Sequence, residues 1–258
     1  MDGPFGKENR KELYDIIFEG ATRVVLPVTQ GVETDPGKPL DPVNLPGEIL
    51  FMQELPENHQ ARQYLELRGY DPLELERLYG IGFCVKVFDR SHYPLTNRIF
   101  IPILMNGNIV GWQGRYVGDP DWKTSSVQKY FNLRGMSKKD MLYNFDVAKT
   151  QDMVVIVEGA ADVWRVGPKA VGIMGSDLSE QQAGMIRQSW TGKPVAVFLD
   201  KDASDKSEGI AKKLFPYFGK KVFPVVTGHK DPGSMTNDEI WQVISSELSL
   251  RGLEPVKV

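Results

Sequence analysis

Cysteine occurs once in this chain, at Cys84, which excludes an intramolecular disulfide framework and any zinc ribbon built on four thiolates. Histidine is nearly as scarce: His59, His92 and His229 lie far apart, so no zinc is expected. There is no apolar run of eighteen or more residues and no basic, apolar, small-residue leader after Met1. Neither a membrane span nor a signal peptide is therefore expected, and the default location is cytoplasmic. What remains is an ordinary balance of 41% hydrophobic and 25% charged residues over 258 positions, enough for one large or two small domains with a real core.

Acidic and basic residues are unevenly spread. Residues 1–60 hold 5 Lys/Arg against 11 Asp/Glu, residues 61–150 hold 13 against 9, and residues 151–258 hold 13 against 14. The middle segment is the basic one, and a nucleic-acid partner needs such a local positive surface rather than a positive total.

Apolar spacing predicts a helix over residues 8–22, then a Pro/Gly/Asp-rich linker or extended loop over 27–46. A helix begins near Asn58 and stops at Gly69; Asp71-Pro72-Leu73-Glu74 caps another that runs to about Tyr79. Ile99, Ile101 and Ile103 alternate before the turn Asn106-Gly107, which predicts a β-hairpin reaching Arg115. Residues 119–140 mix Lys123, Lys129, Arg134, Lys138 and Lys139 with Trp122, Tyr130 and Phe131, without a firm period. Beyond residue 150, strands near 153–157, 170–174, 194–199 and 221–226 alternate with helices. Helix starts are signalled by Ser179-Glu180-Gln181-Gln182, by Asp205-Lys206-Ser207-Glu208 with Asp205 as the cap, and by Thr236-Asn237-Asp238-Glu239. This is the pattern of βα units on a mostly parallel sheet, with Pro224 marking an edge strand.

Carboxylates sit where such a sheet places its ligands. Glu158 and Asp162 follow the first of these strands, and Asp200 and Asp202 follow the third. In open parallel sheets the carboxyl ends of strands face a shared crevice, and hard divalent cations seek oxygen donors. A lone acid after a strand is ordinarily a helix cap or a solvated loop charge. Four acids in two pairs favour a metal site. Asp231, in Lys230-Asp231-Pro232, either joins that crevice or opens a turn. Arg115, Lys129 and Lys138 suit phosphate, although mixed charged loops are normally only solvated; Trp112, Tyr130 and Phe131 are more often core than base-stacking platforms.

Taken in order, Glu158-Gly-x-x-Asp162, Gly175, Asp200-x-Asp202 and Lys230-Asp231-Pro232 resemble the toprim domain of bacterial-type DNA primases. Upstream, Tyr64-Leu65-x-x-Arg68-Gly69, Ile81-Gly82-Phe83, Arg98-Ile99-Phe100-Ile101-Pro102-Ile103, Gly114-Arg115, Lys129-Tyr130-x-Asn132 and Lys138-x-x-x-Leu142-Tyr143 resemble the basic half of the same catalytic core. The resemblance covers residues 58–245. It implies an α/β architecture in which a smaller basic α+β subdomain (58–150) precedes a toprim domain of mostly parallel sheet with flanking helices (151–245). Residues 1–57 and 246–258 then form an amino-terminal helix and linker and a carboxy-terminal tail.

The implied activity is DNA-templated synthesis of short RNA primers from ribonucleoside triphosphates. Two Mg²⁺ or Mn²⁺ ions would be held by Glu158, Asp162, Asp200, Asp202 and Asp231, with Glu158, Asp200 and Asp202 as the catalytic set. Arg98, Arg115, Lys129, Asn132, Lys138 and Lys230 would bind the single-stranded DNA template or the nucleotide. The family implies as partners a replicative helicase and a zinc-binding module, the latter removed or supplied by another protein, in a bacterial or phage-infected cell. A toprim nuclease using the same acids to activate water, and a catalytically silent nucleic-acid-binding module, are the alternative classes.

Overall fold

The computed structural model describes residues 40–118, 120–121, 123–200, 204–227 and 231–254. The expected helix over 8–22 lies outside these residues. So do Trp122, Asp202 and Lys230. The chain divides into two compact units, one built mainly from residues 42–102 and 107–136, the other from residues 103–106 and 137–258.

The first unit carries a five-stranded sheet in sequential order: β1 (Gly47–Phe51), β2 (Gly82–Val87), β3 (Arg98–Met105), β4 (Asn108–Tyr116) and β5 (Tyr130–Asn132). Asn106 and Gly107 both adopt positive φ, 52° and 75°, the combination a two-residue hairpin turn requires between β3 and β4. Helices α1 (Gln60–Leu67) and α2 (Pro72–Tyr79) join β1 to β2. His59 caps α1, its Nδ1 accepting the Ala61 N–H at 3.2 Å, and Asp71 caps α2 through Leu73 and Glu74. Gly80 ends α2 with φ 63°. Cys84, Leu95, Phe100 and Trp112 form a buried cluster joined by Phe131, so Trp112 and Phe131 are core residues. Val43 and Leu45 pack on it too, and Val43 N–H donates to the Ile109 carbonyl at 2.8 Å. The end of the expected linker, residues 40–46, is therefore docked chain: two half-buried apolar side chains in a polar stretch suffice to anchor it, while Asp41, Pro42 and Asn44 stay exposed.

The second unit is built on a four-stranded parallel sheet of order β7-β6-β8-β9, comprising β6 (Val154–Val157), β7 (Ala170–Gly172), β8 (Val195–Val197) and β9 (Val222–Pro224). Pro224 lies on an edge strand, as proline's missing N–H demands. After the short α3 (Phe145–Ala148) come α4 (Ala160–Val166), α5 (Glu180–Ser189), α6 (Ser204–Phe218) and α7 (Asn237–Leu250). One sheet face, with Val154, Ile156, Val195 and Val197, packs on Ala183, Ile186, Ile210 and Leu214 of α5 and α6. Alternation turns Val155, Val157 and Ala196 to the other face, where α4 and α7 lie, tied by Trp241 Nε1 donating to the Val166 carbonyl at 3.1 Å. Leu248 is fully buried, so α7 runs past the expected domain end at 245. The helix signalled by Asp205 starts at Ser204, placing Asp205 in the first turn rather than at the cap.

Gln182 pins this unit together. Gln182 is itself 1% exposed; its Oε1 accepts the Ser179 N–H at 3.0 Å, and its amide shares two hydrogens among the carbonyls of Lys138, Met141 and Ile173 at 2.9–3.0 Å. Gln182→Leu leaves these carbonyls without a donor. Unsatisfied buried groups cost roughly 1–3 kcal/mol each, so a loss of about 2–4 kcal/mol is expected, read as a lower urea midpoint at unchanged slope.

Candidate active site

The chain leaves β6 for β7 on one side and then returns to β8 on the other. That reversal puts the topological switch point between β6 and β8, the position where open α/β sheets bind ligands beyond their carboxyl ends. Glu158 follows β6 and Asp200 follows β8, with Ile156 registered against Val197. The two acids consequently emerge side by side. Glu158 accepts a hydrogen bond from the Asp200 N–H, and both the Asp200 and Asp231 carboxylates act on it electrostatically. Asp231 also opens a 3₁₀ turn at Pro232–Ser234, with its carbonyl accepting from Ser234 Oγ.

Burial pushes the Glu158 carboxyl above its ordinary value, and the Asp200 charge pushes it further; Lys206 and the Asp200 N–H pull the other way, and Asp231 adds a smaller upward push. Lys206, in the first turn of α6, is thus a cation next to the acids that sequence reading left among ordinary helix-surface charges. Its neighbourhood is set by how tightly α6 follows β8, which periodicity does not encode.

Asp162 has a different posture. Its Oδ2 accepts the Gly159 N–H at 3.0 Å, capping α4 from the third helical position. A β-carbon added at Gly233 would lie 3.0 Å from Asp162 Oδ1, so the turn after Asp231 packs closely on this carboxylate. Across the sheet, Met174 N–H donates to the Glu158 carbonyl at 2.7 Å from a left-handed backbone, φ 54°. The strained residue after β7 is therefore Met174, immediately before Gly175. Strain of this kind costs about 1–3 kcal/mol and persists where the surroundings over-determine it, commonly beside functional sites. Among the described residues, no group of three or more His, Cys, Asp or Glu side chains is arranged to hold a metal ion; Asp202 lies outside them.

The cationic residues fall in both units. In the first, Arg98 is 6% exposed, donating from Nε to the Pro94 carbonyl at 2.6 Å and from Nη1 to those of Gln128 and Gly114 at 2.7 and 3.4 Å. Burial lowers its pKa, and Arg115 lowers it further. Arg115, 4% exposed, donates from Nε to Tyr64 Oη at 2.8 Å and again from Nη2, and lies over the Tyr130 ring at 5.1 Å. Asn132 Oδ1 accepts from the buried Gln113 at 2.7 Å, its cross-strand partner. Lys129 is exposed. Lys138 belongs instead to the second unit, its carbonyl held by Gln182 while Ser179 Oγ donates to the Lys139 carbonyl at 2.5 Å.

Scans against protein-family models and curated proteins found no match. The architecture is similar to a DnaG primase catalytic domain bound to ssDNA, at 19% identity and TM-score 0.62 over 78% of this chain and 74% of that one. It is similar to the E. coli primase catalytic core, at 20% and 0.60 over 78% and 75%. A third likeness is to the RNA polymerase domain of Mycobacterium tuberculosis primase DnaG in complex with a double-stranded DNA oligomer with a 6-nucleotide overhang, at 20% and 0.56 over 74% of each chain. The parallel sheet with flanking helices and the antiparallel sheet that precedes it give this protein the fold of the DnaG primase catalytic core.

Proposed function

We propose that the protein is a primase catalytic core that joins ribonucleotides on a single-stranded DNA template. The observation that carries this reading is that Glu158 and Asp200 emerge side by side at the switch point of the parallel sheet, linked through the Asp200 N–H, in a chain that has the primase fold. The donor set is all oxygen, and the repulsion that raises Glu158 is what a divalent cation offsets, so Mg²⁺ or Mn²⁺ is proposed to draw together Glu158, Asp200 and Asp231, which are not already arranged as a cage, with Asp202, two residues beyond Asp200, as a further proposed ligand. When bound, such ions favour deprotonation of the 3′-hydroxyl and neutralise charge on the triphosphate.

The protein's own residues supply the rest. Glu158, with its raised pKa, is suited to hold a proton at its carboxylate as the hydroxyl is activated. Asp162 fixes the α4 entry and so the direction in which Glu158 leaves its strand. Lys206 offers positive charge beside the acids. Lys129 and Lys138 are the cations proposed for template or triphosphate phosphates, contacts that carry position but little sequence information. In the first unit Asn132 is proposed with Lys129, and the buried Arg98 and Arg115 as supports beneath them; Lys230 is proposed as a further phosphate contact.

The direct test is primer synthesis on single-stranded DNA with labelled ribonucleotides and Mg²⁺ or Mn²⁺. Activity is expected in the native chain and near background in Asp200→Asn. Metal-dependent cutting of DNA without nucleotides would favour a nuclease instead. Lys129→Ala should weaken template or nucleotide binding several-fold at low salt with an unchanged melting temperature, as anisotropy and thermal unfolding would read. Loss of one phosphate contact should also flatten the salt dependence by about one unit of log–log slope.

A further inference from the structure

The parallel-sheet unit is polarised. Its crossovers run from the carboxyl ends of one strand to the amino end of the next, so α5 and α6 both finish at the edge of the sheet opposite Glu158 and Asp200. The 15-residue α6 spans about 22 Å in doing so. Charge follows this axis. Residues 181–199 contain Arg187 and Lys193 and no acid, and residues 209–227 contain Lys212, Lys213, Lys220 and Lys221 and no acid. The acids that flank these two runs in sequence are Glu180 and Glu208, one turn or more toward the other end, pairing with Lys213 at 2.7 Å and Lys212 at 3.4 Å, while Asp152 lies at the same edge of the sheet, next to Gln151, whose carbonyl accepts from Lys193, and pairs with Lys169.

Two large aromatics stand on the opposite flanks of the α6 end, two residues apart. Phe215 is 59% and Tyr217 55% exposed, flanking Pro216 in the last turn of α6. Arg187 of α5 lies over the Tyr217 ring at 4.8 Å, and Lys221 Nζ donates to the Gly192 carbonyl, bringing the two helix ends together. Cations at a helix carboxyl end also complement its dipole, which accounts for Lys220 and Lys221 but not for exposed rings. An apolar protein contact accounts for the rings but not for cations without an acid on either helix end. Rings for bases and ammonium groups for phosphates together match the way single strands are held without sequence preference.

We infer that the ends of α5 and α6 form a second binding surface for single-stranded nucleic acid, on the far side of the unit from the proposed catalytic acids. Phe215 and Tyr217 stack bases, while Arg187 and Lys220 take phosphates. A strand engaged here is held by the same protein that copies it elsewhere, without entering the reaction. The surface requires no catalysis, so it stands or falls independently of the proposed activity.

The test is anisotropy titration of the full chain with a labelled 30-nucleotide oligothymidine, across a salt series, comparing native protein with Phe215→Ser/Tyr217→Ser and with Lys220→Glu/Arg187→Gln. Affinity should fall five- to twentyfold in each double variant, and the log–log salt slope should drop by one to two units in the charge variant alone. Melting temperatures should barely move, because Phe215, Tyr217 and Lys220 are exposed. Photocrosslinking with iodouracil oligonucleotides should mark peptides containing residues 215–221. Unchanged affinity and slope in both folded variants, with no crosslink in this segment, would overturn the proposal and leave the surface to a protein partner.

Discussion

Glu158→Gln is expected to lower nucleotide incorporation by about two to three orders of magnitude while leaving the protein at least as stable at neutral pH. Removing one preorganised electrostatic group from a polar active site typically costs 10²–10³ in rate. Glutamine keeps the side-chain length and still accepts the Asp200 N–H, so geometry is preserved while the charge is removed. Stability moves the other way because the folded protein holds the Glu158 proton more tightly than the unfolded chain does. Below the ordinary carboxylate value of 4.5 both forms are protonated, and native and variant proteins should match. As pH rises through the raised folded value, the native protein pays for an ionised group that is partly desolvated and faces Asp200 and Asp231. Thermal melts at pH 4 and pH 8 check this: the variant's advantage should appear only at the higher pH. Full activity in Glu158→Gln would remove this residue from the chemistry.

The second large effect concerns the scaffold. Arg98→Ala should destabilise the first unit by about 2–4 kcal/mol, since charge-assisted hydrogen bonds contribute roughly 1.5–3 kcal/mol each and one buried and two part-buried carbonyls lose their donor. Lysine is a poor substitute, because one ammonium cannot reproduce a planar fork reaching Pro94, Gly114 and Gln128. The sequence around Arg98 is fitted to it: a β-carbon on Gly114 would lie 2.3 Å from Leu95 Cδ1 and 3.3 Å from Arg98 Cδ. Denaturant unfolding followed by tryptophan emission reads this directly, Trp112 being fully buried in the same unit. A midpoint shift equivalent to less than 1 kcal/mol would show that water replaces the guanidinium.

These two residues also mark what was legible in the sequence. The parallel sheet could be read because its strands are short apolar runs ending in acids or glycine, with capping boxes between them. The hairpin could be read from Asn106-Gly107, and the edge strand from Pro224. Three strands gave less signal. Gly47–Phe51 follows directly on a proline-rich stretch, Gly82–Val87 opens on glycine and lacks strict alternation, and Tyr130–Asn132 is too short to show a period. Arg98 and Arg115 read as surface charge because burial of a guanidinium depends on carbonyls and a tyrosine hydroxyl up to 51 residues away. The grouping of Glu158 with Asp200 followed from strand order, whereas the contribution of Lys206 and the left-handed Met174 depended on loop geometry that local patterns do not carry.

The borders of the parallel sheet have a consequence for handling the protein. On one side Pro224 removes a donor from the outermost strand, and on the other Tyr143 exchanges backbone hydrogen bonds with Gly172, occupying the row that would otherwise be open. Neither margin offers a long template for a foreign strand to lengthen the sheet, the usual first step toward amyloid-like growth. The parallel sheet should therefore resist ladder-type aggregation when the protein is concentrated.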